Sequence, residues 1–94
     1  MVPDAGDIYL ADLNDEQRGR VLVVSTARFH DLSGRAIVVP ASHQRPFPWR
    51  IEHRDDTFAV DLLQTISIDR LLEKVGTAPD EIRRRAQQTI RLIT

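Results

Sequence analysis

The 94-residue chain has no cysteine, a single lysine, only four glycines and five aromatic residues. Absence of cysteine removes disulfides, thiolate metal sites and thiol nucleophiles together. No run of 18 or more apolar residues is present, and the N-terminus lacks a basic region followed by an apolar stretch. Neither a membrane span nor a signal peptide is therefore expected, and cytoplasmic residence follows as the default. A basic excess is lacking too: the formal net charge is -1, whereas nucleic-acid-binding domains usually carry clear positive charge. Any affinity for an anion must come from how charge is distributed. Twelve of the thirteen basic residues are arginine, Lys74 being the exception, and guanidinium suits bidentate phosphate contacts better than ammonium does.

What is present fits one domain spanning residues 1–94, with 41% hydrophobic content giving a modest core at a size where a subunit partner helps. The runs Ile8 to Leu13, Val21 to Ser25, Ala36 to Val39, Trp49 to His53, Phe58 to Leu62 and Thr65 to Ile68 are rich in β-branched or aromatic residues and separated by Gly, Pro, Asp and Ser. Each reads as a strand. Val21 to Val24 and Ala36 to Val39 are continuously apolar, so they belong at the centre of a sheet covered on both faces. Trp49 to His53 alternates and should have one wet face. Residues 26–35 form a mobile or partly helical connection.

Thr77, with Pro79 and Asp80 after it, reads as a capped helix start. Ile82, Ala86, Ile90 and Ile93 then recur at helical spacing and should pack on the sheet, leaving Arg83, Arg84, Arg85 and Arg91 largely solvated. The expected fold is mainly β (α+β), a compact antiparallel sheet or barrel with a C-terminal amphipathic helix.

The opening stretch Val2-Pro-Asp-Ala-Gly-Asp-Ile-Tyr-Leu-Ala-Asp-Leu13, then Glu16-Gln17-Arg18-Gly19-Arg20 and Val21-Leu-Val-Val-Ser25, resembles the start of a MazF/PemK-type toxin. There a strand beginning Gly-Asp is followed by an acidic-Gln-Gly-Arg-Pro loop and a buried strand. Gly34 to Ser42 resembles that family's third strand, Pro46 to Ile51 its Pro-Phe strand, Val60 to Ile66 its Asp-Gln-x-Arg-Thr-Ile segment, and Gly76 onward its terminal helix. The likeness runs along almost the whole chain and implies an SH3-like barrel of the CcdB/MazF type. It further implies a sequence-specific, metal-independent endoribonuclease of a type II toxin-antitoxin system, needing no cofactor. Its partners would be single-stranded RNA, a cognate antitoxin protein and a second copy of itself, with no membrane involved.

Carried over by motif, the resemblance makes Arg20, Ser42 and Glu16 catalytic. The loops 14–20 and 42–48 are where the chemistry should concentrate. Arg18 competes with Arg20, because the shortened loop sets Arg20 directly against Val21. Arg18, Gln17, His43, Asp61 and Gln64 are expected at the RNA. In this chemistry a 2'-OH attacks the adjacent phosphorus, leaving a 2',3'-cyclic phosphate and a 5'-OH; guanidinium and hydroxyl groups stabilise the growing charge and a carboxylate takes the proton.

Each residue has a plainer reading. Glu16 and Arg20 would make an exposed ion pair, worth about 0–1 kcal/mol, and Ser42 would bond local backbone at a strand end. His30 and His53 read as loop and strand-surface residues, and a metal site drawn through His43, His53 and Asp55 has no supporting spacing. Trp49 fits core or subunit interface better than base stacking. Asp61-Leu62-Leu63-Gln64 keeps the family's Asp but loses its Gln and Arg, so a catalytically degenerate member is one alternative. The other is a CcdB-like, non-enzymatic gyrase poison, against which stands the ending Leu92-Ile93-Thr94 in place of a Trp-Gly-Ile type tail.

Overall fold

The computed structural model describes residues 2–13, 18–42 and 49–94. Its strands are β1 (Asp7–Asp12), β2 (Arg18–Val23), β3 (Arg35–Pro40), β4 (Arg50–His53), β5 (Asp56–Ala59), β6 (Gln64–Ser67) and β7 (Leu71–Thr77). Two helices, α1 (Ala27–Ser33) and α2 (Asp80–Ile93), and two three-residue 3-10 turns, Val60–Leu62 and Ile68–Arg70, complete it. One sheet runs β6-β3-β2-β1-β7 and a second is the β4-β5 hairpin, every pairing being antiparallel.

β6 and β7 lie at opposite edges of the large sheet yet are joined only by the turn Ile68–Arg70. Such a short connection requires the sheet to roll until its edges approach, giving an open, barrel-like shape. Alternation along each strand then sorts the apolar residues into two layers. Tyr9, Ala11, Val21, Val23, Ala36, Val38 and Ile66 pack inside the roll. Ile8, Leu22 and Val39 point outward, against Ile51, Phe58 and Val60 from the hairpin side and Ala86 of α2. The continuous apolar runs in β2 and β3 are accounted for: both strands are central and buried on both faces.

The hairpin attaches where β3 ends. Ala41 bridges Phe58, and the Ser42 amide donates to the Thr57 carbonyl at 2.7 Å. β5 and β6 thus follow one another along the same side of β3, and the chain steps between them through Val60–Leu62. That step ends the strand expected over Phe58 to Leu62 at Ala59. β2 starts earlier than expected, because Arg18, Gly19 and Arg20 pair with Asp12, Ala11 and Leu10; strand pairing here overrides polar composition. β7 is hidden in the sequence for the same reason, since Glu73, Lys74 and Gly76 dilute its pattern.

The connection at residues 26–35 contains a defined helix. The Thr26 hydroxyl accepts from the Phe29 amide, and Gly34, at φ 68°, donates its N–H to the His30 carbonyl; this is a capped start and a left-handed glycine stop. His30 is a core residue, not a loop residue, with 1% exposure. Its Nδ1–H donates to the Pro3 carbonyl at 2.7 Å, which leaves Nε2 to accept from the Ser25 hydroxyl. The Asp4 carboxylate receives the Ala5 and Ala27 amides at 2.8 and 3.1 Å, and these bonds hold its pKa below the usual 3.8. This anchorage is therefore in place above that pH and is lost as pH falls through the lowered value.

α2 carries its apolar stripe as expected, with Ala86 fully buried and Ile82 and Ile90 packed against the core. Ile93 remains 36% exposed at the last turn. Thr77 does not cap it: Thr77 ends β7, and Pro79 precedes the first turn with no side-chain cap bond.

The tip of the β4-β5 hairpin is strained. His53 and Asp56 pair across a two-residue loop, and Arg54 there has φ 55°, a value that L side chains adopt at a cost of about 1–2 kcal/mol. Arg54→Gly should raise stability by about 0.5–1 kcal/mol after its own entropy cost, lifting the melting temperature by roughly 3–6 °C in a domain of this size. A lower melting temperature would mean that the Arg54 side chain makes contacts worth more than the strain.

Candidate functional site

Arg20 sits near the start of β2, where its backbone is fixed on both sides. It lies opposite Leu10 of β1, and its carbonyl accepts from the Ala41 amide at 2.9 Å. Leu22, on the same face of β2, belongs to the outer core layer, so Arg20 emerges beside that core, toward the hairpin. There its Nη1 meets Asp56 Oδ1 and Oδ2 at 3.3 and 3.5 Å. The two side chains are 54% and 15% exposed. This is a long, single-nitrogen contact rather than a bidentate fork, so it orients the guanidinium without consuming its donors.

The pair borders a cleft of about 230 Å³ lined by Ile8, His53, Arg54, Asp55 and Gly76 among others. Gly76 matters here because a Cβ at that position would meet nothing within 4 Å, leaving the floor open. His53 is half-buried in this wall, a more useful position than the strand surface expected of it. Asp56 carries no signal in the sequence: it is 36 positions from Arg20, and nothing local links them.

Arg18 is exposed and two residues before Arg20, hence on the same face of β2. The structure keeps both arginines available to one side of the sheet.

Ser42 is placed differently. Ala41 packs against the outer core layer, so strand alternation puts Ser42 on the opposite face. Continuing the β2-β3 register beyond Val21 and Pro40 brings Gly19 beside Ser42, and a Cβ on Gly19 would lie 3.8 Å from Leu13 Cδ1. Gln64, opposite Val38 at the start of β6, shares that inner side. Asp61 is exposed in the 3-10 turn Val60–Leu62. Arg20 and Ser42, read from the sequence as one catalytic set, thus emerge on different faces. Glu16, Gln17 and His43 lie outside the described residues.

Among the described residues no group of three or more His, Cys, Asp or Glu is arranged to hold a metal ion. Nor, among the described residues, is any helix long and apolar enough to cross a membrane. Trp49 is 37% exposed, while its carbonyl accepts from the Val60 amide at 3.0 Å.

Residues 4–94 match the family described as PemK-like, MazF-like toxin of type II toxin-antitoxin system. Curated protein sequences give no match. Among solved structures, a MazE-MazF complex from Deinococcus radiodurans superposes with a TM-score of 0.87 at 18% identity, covering 99% of this chain and 95% of that one. An endoribonuclease in complex with its cognate antitoxin, from a mycobacterial species, gives 0.82 at 18% identity, over 96% and 92% of the two chains. The Mycobacterium tuberculosis toxin MazF-mt6 gives 0.76 at 16% identity, over 89% and 91%. At these identities the structural likeness establishes the barrel-like fold.

Proposed function

The chain belongs to the PemK-like, MazF-like toxins of type II toxin-antitoxin systems, and from that premise we propose that it is a cytoplasmic endoribonuclease cutting single-stranded RNA at a specific sequence. It works without a metal, as a homodimer formed by one domain per chain, and is silenced by a cognate antitoxin protein. The observation that carries this reading is Arg20: a half-exposed guanidinium on a rigid strand, oriented by Asp56 through a single nitrogen.

RNA supplies its own nucleophile. The 2'-oxygen attacks phosphorus as its proton passes to a base, the bond to the 5'-oxygen breaks, and that oxygen leaves protonated. Arg20 holds the non-bridging oxygens, where negative charge accumulates, and Asp56 fixes its direction beforehand, so little reorganisation is needed during the reaction. Glu16 takes the proton, and the Ser42 hydroxyl bonds the substrate from the other side of the sheet edge. Arg18 and Gln17 supply further contacts near the cut, together with His43, Asp61 and Gln64.

Incubating the purified protein with single-stranded RNA should give fragments ending in 2',3'-cyclic phosphate and beginning with 5'-OH, and the cognate antitoxin should stop the reaction. Fragments with 5'-phosphate ends would overturn the mechanism. The emergence of Arg20 and Ser42 on different faces favours a second reading, a degenerate member that folds and binds antitoxin but cleaves weakly; cleavage no faster than that of an Arg20→Ala variant would select it.

A further inference from the structure

A second cleft lies along the open edge of β6, away from the Arg20–Asp56 pair. It encloses about 310 Å³ and is lined by Leu13, Arg35, Gln64, Thr65, Ser67 and Arg70, with Ile66 between them. β6 ends the large sheet, so nothing among the described residues pairs with its outer side. The cleft draws on both faces of the strand: Arg35 stands opposite Ser67, whereas Gln64 and Ile66 face Val38 and Ala36 on the inner side.

Its chemistry is one-sided. Among the described residues no carboxylate lines it, and neither Arg35 nor Arg70 has an ion-pair partner. Two guanidiniums with no ionic partner among the described residues, flanked by two hydroxyls and an amide, concentrate positive charge in a chain whose formal net charge is -1. Such a lining suits a phosphodiester backbone. Among the described residues no aromatic side chain lines the cleft, so the lining offers phosphate contacts rather than base stacking, the usual companion of backbone tracking on single strands.

Leu13, part of this lining, is also the neighbour that a Cβ on Gly19 would meet, at 3.8 Å.

We propose that the β6 edge cleft is a sequence-independent phosphate subsite. Arg35 and Arg70 there hold the backbone of the single-stranded RNA some nucleotides away from the bond being cut. The proposal rests on the ribonuclease reading and extends it: affinity is gathered at this edge, while cleavage is performed elsewhere.

Binding of oligoadenylate and oligouridylate single strands should be measured against salt for the wild-type dimer, Arg35→Gln, and Arg35→Gln with Arg70→Gln. Removing one arginine–phosphate pairing should reduce the slope of log K against log salt by about 0.7, so the double variant should fall by about 1.4 and bind roughly tenfold or more weakly at 0.1 M salt. Both homopolymers should be affected equally, because phosphate recognition reads no bases. The rate constant of cleavage at saturating substrate should stay unchanged. Arg35 is exposed, so its single variant keeps the test valid if removing the half-buried Arg70 harms folding. A wild-type slope in Arg35→Gln, in protein that still cleaves RNA, would overturn this subsite and leave the ribonuclease reading intact. Loss of antitoxin binding or of dimerisation with RNA affinity unaltered would assign the cleft to a protein partner and overturn it equally. Failure of the wild-type protein to bind or cut any RNA would remove both readings.

Discussion

Replacing the single ribonucleotide 5' to the scissile bond by its deoxy counterpart should abolish cleavage, because that substitution deletes the nucleophile and leaves every protein group in place. Excess EDTA should leave cleavage of the all-RNA substrate intact, since the proposed charge stabilisation comes from the Arg20 guanidinium. The two manipulations address different steps, so their combination is diagnostic. Affinity for the deoxy substrate should persist, because phosphate contacts dominate binding to nucleic acid, and should weaken as salt rises. Duplex RNA should resist cutting: stacking hides its base edges and holds the 2'-oxygen out of line with the leaving group. Cleavage of the deoxy substrate would mean that water or a side chain attacks instead. Protein that spares all single-stranded RNA yet traps gyrase on DNA would be acting as CcdB-type toxins do.

How far the sequence reveals this molecule depends on whether its signals are local. The apolar runs of β2 and β3 announce central strands because both faces of those strands are buried, and the stripe Ile82, Ala86 and Ile90 announces a helix lying on a core. β7 is less legible because an edge strand with one wet face tolerates Glu73 and Lys74. α1 is bounded by Thr26 and Gly34, a cap and a stop visible in the sequence, but between them only His30 is buried, too little apolar periodicity to signal a helix. His30 itself reads as a loop residue until Pro3, 27 positions away, and Ser25, five away, satisfy both ring nitrogens.

The candidate site divides in the same way. Family resemblance picks out Arg20 and Ser42 from motif order, but motif order carries no information about faces. A strand reverses its side chains at every residue, so the faces of Arg20 and Ser42 follow from the β2-β3 register and the packing of Ala41. The Arg20–Asp56 pair, the half-buried wall position of His53 and the cleft that joins Arg35 to Arg70 all arise from tertiary approach.

Arg20→Ala should lower the cleavage rate by at least ~10²-fold, the loss typical when one preorganised donor to a developing oxyanion is removed. Stability should barely change, because an exposed ion pair such as Arg20–Asp56 contributes about 0–1 kcal/mol. Arg18→Ala should cost far less: Arg18 shares the face of Arg20, but no hydrogen bond or ion pair fixes its guanidinium among the described residues. Asp56→Asn separates orientation from charge. It keeps an acceptor near Nη1 while removing the ionic partner, so it should reduce the rate less than Arg20→Ala and leave substrate affinity unchanged or improved. A larger loss from Arg18→Ala than from Arg20→Ala would move the phosphate-stabilising role two residues along the same face of β2. Equal and small losses from both would mean that neither guanidinium meets the reacting phosphate, as expected of a degenerate toxin that retains its fold and its antitoxin.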